Sequence, residues 1–328
     1  VNASDKTVIE VEIPRGSGIN TIGRILEENG IIRNKTIFKL YVDLYDRGSK
    51  LRSGTYELSP SMELMEIINT LCSGESTDNV AKLLIKEGYT VDDIANLLVQ
   101  KGVIDKPEEF TNALKDLSPY TQAYPFLEEP VKEKDKRKNP AEGYLFPDTY
   151  EVYKGNAAVV DTINKMLNNF GNKYDADIKS GAENLGRSMH DIVTIASLIE
   201  REAQRDDERA RIAGVIYNRL NNSSEFPYLQ VDASVLYGLG RTGGKLSDED
   251  LKSDSEYNLY NHEGLPPGPI CNPGYASLYA ASHPEDNNYY YYVAMPDGSH
   301  LFASSYEEHE RNIEASNQAQ AQAANASA

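Results

Sequence analysis

Residues 196–203 read ASLIEREA, inside the run HDIVTIASLIEREAQRDDERARIAGVIYNRL. Two glutamates, Glu200 and Glu202, interrupt an apolar helical pattern there. At about 100° per residue, Ile192, Ile195, Ala196, Ile199 and Ala203 share one face. Glu200 falls on one edge of that face, between Ala196 and Val193, and Glu202 on the other, between Ile195 and Leu198; Arg201 points to water. A carboxyl at such an edge is desolvated, which raises its pKa and keeps it protonated toward neutral pH. A protonated glutamic acid can hand its proton to a leaving oxygen, as glycosidic bond cleavage requires. The competing reading is an ordinary charged helix, in which Glu200 reaches Arg201 or Gln204. Periodicity puts both glutamates near the core and does not choose between them.

Other chemistries find less support. Cys72 and Cys271 lie 199 positions apart and form no CxxC pair, so neither a zinc site nor a disulfide is implied. His190, His262, His283, His300 and His309 form no HExxH and have no helical ligand spacing; they read as structural or surface residues. The stretch GLGRTGGK at 238–245 lacks the phosphate-loop spacing and the Ser or Thr that should follow it. No metal or organic cofactor is expected.

Composition narrows the ligand. The chain has 328 residues, enough for two or three domains, and is 40% hydrophobic. Its net charge of −18 argues against nucleic acid, whose phosphates need clustered Lys and Arg. A neutral or weakly charged ligand would be read by hydrogen bonds and ring stacking, and 22 Tyr with no Trp suit that role. No apolar run of about 18 residues is present, and no signal peptide. The start, VNASDKTVIEVEIP, reads as a trimmed N-terminus; the tail SNQAQAQAANASA reads as a frayed helix end or a disordered segment.

An internal repeat organises the first third. IPRGSGINTIGRILEENGII (13–32) aligns with IKEGYTVDDIANLLVQKGVI (85–104) at a constant offset of 72. Gly16 matches Gly88, Ile22 matches Ile94, Gly30 matches Gly102 and Phe38 matches Phe110. Each copy reads as a strand (TVIEVEI, NVAKLLI), a glycine turn, a helix stopped by glycine, then a second helix. A third strand, SGTYELS (53–59), and a helix, MELMEIINTLCSG (62–74), complete the first copy. Such β-α-α-β units resemble LysM modules in topology, which implies either binding of N-acetylated glycans or a scaffold. Residues 117–140 are polar, proline-containing and charge-dense, and read as a linker or exposed loop. Helices are expected at 156–170, 188–204 and 206–221, and a strand pair, NYYYYVAMPDG with SHLFASS, followed by the helix YEEHERNIEAS. Tyr289 to Tyr292 should alternate across the first of these strands.

Four segments after residue 140 gather polar and aromatic residues among Gly and Pro turns, where sites tend to sit. They are EGYLFPDTY (142–150), ASLIEREA (196–203), LQVDASVLYGLG (229–240) and YNLYNHEGLPPGPICNPGYASLYAASHP (257–284). Together, and in this order, they resemble the endolytic murein transglycosylases, the MltG or YceG-like family. The match runs from IPRGSG to SHLFASSYEEHERN. The resemblance implies cleavage of the β-1,4 bond between N-acetylmuramic acid and N-acetylglucosamine inside glycan strands, leaving 1,6-anhydro ends, with a role in setting nascent strand length. It also implies that the first glutamate of the ASxxExE pattern, Glu200, is the catalytic acid. A membrane anchor preceding this chain, action on the outer face of the bacterial membrane and partners among penicillin-binding synthases are implied as well.

One acid suffices for that reaction, acting first as acid and then as base. The fold class expected is α+β: N-terminal LysM-like β/α units at 1–76 and 77–137, the second including the linker, then a mainly helical, loosely lysozyme-like domain with a small sheet at 138–316, and a tail at 317–328. Asp232 reads as an N-cap or a loop-orienting residue, or as the second carboxylate of a hydrolase working with Glu200. Glu202 reads as orienting a neighbour or pairing with a base such as Arg219. Glu142 reads as a cleft residue or a turn contact. Gln230, Tyr257, Asn258, Tyr260 and Asn261 are suited to sugar hydroxyl, N-acetyl and pyranose contacts. Pro266, Pro267 and Gly268 should stiffen a loop over the cleft. Two rival readings stand beside the transglycosylase: a muramidase-type hydrolase, and a non-enzymatic peptidoglycan-binding scaffold.

Overall fold

The computed structural model describes residues 6–14, 16–74, 80–154 and 158–326. The elements, in chain order, begin with β1 (Ile9–Ile13), α1 (Ile19–Glu28), α2 (Lys35–Leu44), β2 (Gly54–Leu58), α3 (Leu64–Ser73) and β3 (Val80–Leu84). Next come α4 (Val91–Gln100), α5 (Pro107–Ala113), α6 (Glu128–Lys132), β4 (Thr149–Tyr153), α7 (Ala158–Lys173) and α8 (Ala176–Asn184). The remainder are α9 (Met189–Glu202), α10 (Arg209–Asn221), α11 (Asp232–Gly238), α12 (Tyr275–Ser282), β5 (Tyr291–Ala294), β6 (His300–Ala303) and α13 (Tyr306–Ala326). Helices and three two-stranded antiparallel sheets make this an α+β protein. It divides into two compact units. The first comprises Val1–Leu84, Ala95–Phe110 and Thr149–Asn164, and the second Ile85–Ile94, Thr111–Asp148 and Lys165–Ala328.

In the first unit β1 pairs with β2, Val11 opposite Tyr56 and Ile9 opposite Leu58. Alternation along each strand sends these side chains to one face. There they meet Ile22 and Leu26 of α1, Phe38 and Val42 of α2, and Ile67, Ile68 and Leu71 of α3 in a single core. The second copy closes in the same way: β3 pairs with β4, Ala81 opposite Val152 and Leu83 opposite Tyr150. The glycines aligned by the repeat share a backbone conformation. Gly30 and Gly102 have φ of 72° and 62°, the left-handed stop that a helix end takes most readily with glycine.

The second unit is built around α9. Its start is fixed by a capping box in which the Ser188 hydroxyl accepts from the Asp191 N–H and the Asp191 carboxylate accepts from the Ser188 N–H. Every residue from Ile192 to Ile199 is buried, which exceeds the one-faced burial that the spacing predicts. Val193, Thr194 and Ser197 are enclosed too, and the Ser197 hydroxyl donates to Thr194 O and accepts from Ile270 N–H. A helix enclosed on all sides forms the centre of its unit.

Residues 117–140 are not a linker. Leu117, Tyr120 and Leu127 are buried, and the segment carries α6 and several 3₁₀ turns. The charged residues between those apolar ones made the stretch look solvated. α8 was not anticipated, and α13 continues through the alanine- and glutamine-rich tail, whose residues have high helix propensity. Both cysteines are free thiols, Cys72 half-buried and Cys271 buried. Among the described residues no helix is long and apolar enough to cross a membrane.

Gly143 lies close against α9. Its φ is +90°, and a Cβ there would lie 2.5 Å from Pro269 Cγ and 2.7 Å from Val193 Cγ1. Gly143→Ala is therefore expected to cost at least about 2 kcal/mol, from overpacking and a left-handed backbone together. Urea denaturation of the two proteins measures it.

Candidate functional site

The two glutamates of α9 have opposite fates. Two residues along a helix turn the side chain by about 200°. Glu200 goes into a buried polar cluster, its side chain 7% exposed. One carboxylate oxygen accepts from the Gly274 N–H at 3.0 Å and the other pairs with Arg209 Nη1 at 3.3 Å. The same Nη1 donates to the Ser277 hydroxyl at 2.6 Å, and Arg209 Nε pairs with Asp206 at 3.1 Å. The partner of Glu200 is thus a base nine residues on, in α10, rather than Arg201 or Gln204. Glu87 shares this neighbourhood. Burial, and then the Glu200 charge, hold its pKa above the ordinary carboxylate value. A Cβ on Gly274 would lie 1.9 Å from Glu87 Oε1, so any larger residue there would push the Glu87 side chain aside.

Glu202, the last residue of α9, faces a cavity of about 620 Å³. Burial, with the Asp232 charge second, pushes its pKa up to about 7 against a hydrogen bond from Tyr292. The carboxyl therefore keeps its proton over much of the acid-to-neutral range. The walls come from α10 (Val215, Ile216, Arg219), the 229–232 segment, Tyr260, β5 with the preceding Tyr290, and the first turns of α13 (Tyr306, His309, Ile313). Tyr290, Tyr291 and Tyr292 all line it, so the expected strict alternation of the tyrosines does not hold at this strand entry.

Arg219 shapes this wall. Its Nε donates to Tyr290 O at 2.6 Å, and its Nη1 lies 3.1 Å from Tyr228 O, Leu229 O and Gln230 Oε1. The guanidinium also lies over the rings of Phe226 and Tyr291. It is bound to the backbone and to Gln230 rather than paired with Glu202. Gln230 is exposed and has φ of 57°, a left-handed backbone rarely taken by residues with side chains. Backbone strain of this kind gathers at functional sites. With Gln230 Oε1 engaged by Arg219, its amide nitrogen remains a donor for a ligand. Asp232 is the first residue of α11, whose N-cap is Val231, and its carboxylate accepts from the Tyr260 hydroxyl at 2.6 Å.

Four of the residues singled out from sequence therefore converge: Glu202, Gln230, Asp232 and Tyr260. Others do not line this cavity. Glu142 is 1% exposed and accepts from Val91 N–H, Asn272 Nδ2 and the Tyr237 hydroxyl, with burial raising its pKa to about 8. It ties loops together from inside. Tyr257 packs edge-on against Tyr237. Asn258 is fully buried and bridges Leu251 O, Ser253 O and Tyr260 N–H. Asn261 donates to Leu251 O. These asparagines hold the loop that presents Tyr260, which is why their spacing looked purposeful. Pro267 O lies 3.3 Å from His190 Nε2, and Gly268 packs against Arg137, so this stretch too is fastened from within. His300 does line the cavity, and its ring lies 2.8 Å from Glu208. Among the described residues no group of His, Cys, Asp or Glu is arranged to hold a metal ion. Arg219 and Tyr292 were missed as cavity residues; the tyrosine run hinted at the latter.

An α+β protein that aims a carboxyl of raised pKa into a cavity lined by tyrosines and the Gln230 side chain is equipped for acid–base chemistry on a polyhydroxylated ligand. The chain belongs to the YceG-like family, whose model matches residues 11–315. It is 35% identical over 319 residues to an endolytic murein transglycosylase of Bacillus subtilis, covering 95% of this chain and 85% of that protein. It is 33% identical over 335 residues to the endolytic murein transglycosylase of Streptococcus pneumoniae, and spans 59% of that longer protein. The crystal structure of a yceG-like protein from Listeria monocytogenes is similar with a TM-score of 0.65 and 37% identity, over 93% of this chain and 99% of that one.

The buried pair generates a prediction. Arg209→Met should leave the Glu200 carboxylate with only one backbone donor and cost about 3–5 kcal/mol, the range for breaking a buried pair from one side. Adding Glu200→Gln should return part of that loss. Urea midpoints of the two single variants and the double variant test it as a cycle.

Proposed function

We propose that this protein is an endolytic lytic transglycosylase. It cleaves the β-1,4 bond between N-acetylmuramic acid and N-acetylglucosamine inside peptidoglycan strands and leaves 1,6-anhydro ends. The observation that carries the reading is that Glu202 faces the cavity, where burial pushes its pKa up to about 7. The activity named for the Bacillus and Streptococcus relatives supports it.

The chemistry needs one carboxyl. Glu202 protonates the glycosidic oxygen as the bond to the anomeric carbon breaks, and the N-acetylglucosamine leaves as an alcohol. The Glu202 carboxylate then takes the proton of the muramoyl C6 hydroxyl, whose oxygen bonds to the anomeric carbon. No water is consumed and the acid is regenerated. Burial, with the Asp232 charge second, favours the protonated form of Glu202 before the reaction, and the Asp232 charge favours the positive charge that grows on the sugar ring. Gln230 donates its amide N–H to an acetamido carbonyl, and the tyrosine rings take pyranose faces. Glu200, the acid that the family pattern implies, pairs with Arg209 and the Gly274 N–H and does not line this cavity; Glu202 is proposed in its place because it does, and the digestion below decides between the two.

In this reading the β-α-α-β repeats are LysM-like supports, and the α9-centred unit is a loosely lysozyme-like catalytic body. The protein works on the outer face of the membrane, held by an anchor outside this sequence. It sets nascent strand length beside penicillin-binding synthases.

Digestion of uncrosslinked glycan strands, read by mass spectrometry, is the test. Wild type should release internal fragments ending in 1,6-anhydro-muramic acid. Glu202→Gln should lower the rate about 10²–10⁴-fold, the usual share of general acid–base catalysis, with Glu200→Gln costing less. The acid must carry its proton, so the rate should fall as pH rises through about 7. Loss with Glu200→Gln but not Glu202→Gln, both folded, would reverse the assignment. Fragments heavier by one water would make the protein a hydrolase in which Asp232 assists.

A further inference from the structure

One helix of the first unit has an apolar face that the unit's core does not use. Phe38 and Val42 fill the core from α2. Ile37, Leu40 and Leu44, at helical spacing i, i+3 and i+7, lie on another side and are 49%, 62% and 70% exposed. Tyr45, 51% exposed, follows at the helix end, its ring 6.1 Å from that of Tyr41. Single exposed apolar residues are ordinary, but a stripe of three leading to a tyrosine pair is the pattern of a contact surface.

The stretch of chain that carries the stripe has a charge opposite in sign to that of the protein. From Arg33 to Arg52 the chain carries six basic and two acidic residues, a surplus of four positive charges, in a protein of net charge −18. Arg33, Lys39, Lys50 and Arg52 are exposed; Arg47 is half-buried, and Lys35 is paired with Glu27 at 3.6 Å. We propose that α2 docks this unit on an anionic lipid bilayer, with Ile37, Leu40 and Leu44 entering the headgroup boundary and the basic residues meeting lipid charge. An interfacial helix needs this combination of apolar side chains, interfacial tyrosine and basic flanks. A second copy of the chain fits less well, because a two-fold contact would set the same basic patches against each other. The inference stands independently of the catalytic reading.

The whole chain can be tested by sedimentation with vesicles of phosphatidylglycerol and phosphatidylcholine in equal parts, against phosphatidylcholine alone. Binding should require the anionic lipid and weaken with salt. Leu40→Glu with Leu44→Glu, and separately Lys39→Glu with Lys50→Glu, should each lower affinity at least about tenfold. Their melting should stay unchanged, since these side chains are outside the core. The chain has no Trp, so Leu44→Trp supplies a single reporter. Its emission should shift to the blue with anionic vesicles and be quenched by brominated lipid. Absence of binding, equal binding by the variants, or a tryptophan indifferent to lipid would overturn the proposal. So would a dimer abolished by Leu40→Glu with Leu44→Glu in a protein that ignores vesicles, which would give the face to a second copy; capture by an acidic protein instead of lipid would do the same.

Discussion

A helix cannot turn two carboxylates two residues apart toward the same place, and the second unit is arranged around that constraint. The last turn of α9 carries Glu200 and Glu202. One must enter the interior, and a lone charge there is costly. Arg209, the Gly274 N–H and the nearby Ser277 hydroxyl answer that cost, and they bind the end of α9 to α10 and α12. The other carboxyl has a tyrosine hydroxyl and, among the described residues, no ion-pair partner within bonding distance; burial and the Asp232 charge outweigh the more distant Arg201 and favour its neutral form. The ion-paired carboxylate and the cavity-facing carboxyl are two outcomes of one helical geometry.

Arg219 does for the cavity wall what Arg209 does for the helix end. Its guanidinium gathers carbonyls from the 228–229 loop and from Tyr290, fixes the Gln230 amide and supports two aromatic rings. Burial lowers its pKa, the penalty for using a cation as a scaffold. A planar fork of five donors can serve that many acceptors at once, which lysine could not.

Much of this was legible in the chain. The 72-residue offset brought out matched strands, helices and glycine stops, because a backbone that needs positive φ leaves glycines at fixed intervals. Gln230, Asp232 and Tyr260 stood out as polar residues among turns, and they do meet. Periodicity found both glutamates but could not separate them, since the separation depends on Arg209, a partner from another helix. Glu142 and Asn258 looked like ligand-facing residues for a related reason. A buried carboxylate or amide that ties loops together has the same local sequence context as one that binds a sugar, and only the identity of its donors tells them apart. Arg219 was matched to the wrong partner, Glu202, because its actual partners are mostly backbone carbonyls, which leave no mark in sequence.

The cavity draws its walls from Glu202 at one extreme to Ile313 at the other, and Tyr306, His309 and Ile313 belong to α13. A chain emerging from the ribosome in order thus acquires Glu202 long before it acquires the last side of the cavity that Glu202 faces. Until residue 313 is made and α13 has packed, no partial chain has a complete place for a ligand. Order of synthesis alone keeps the site unassembled until nearly all of this sequence exists.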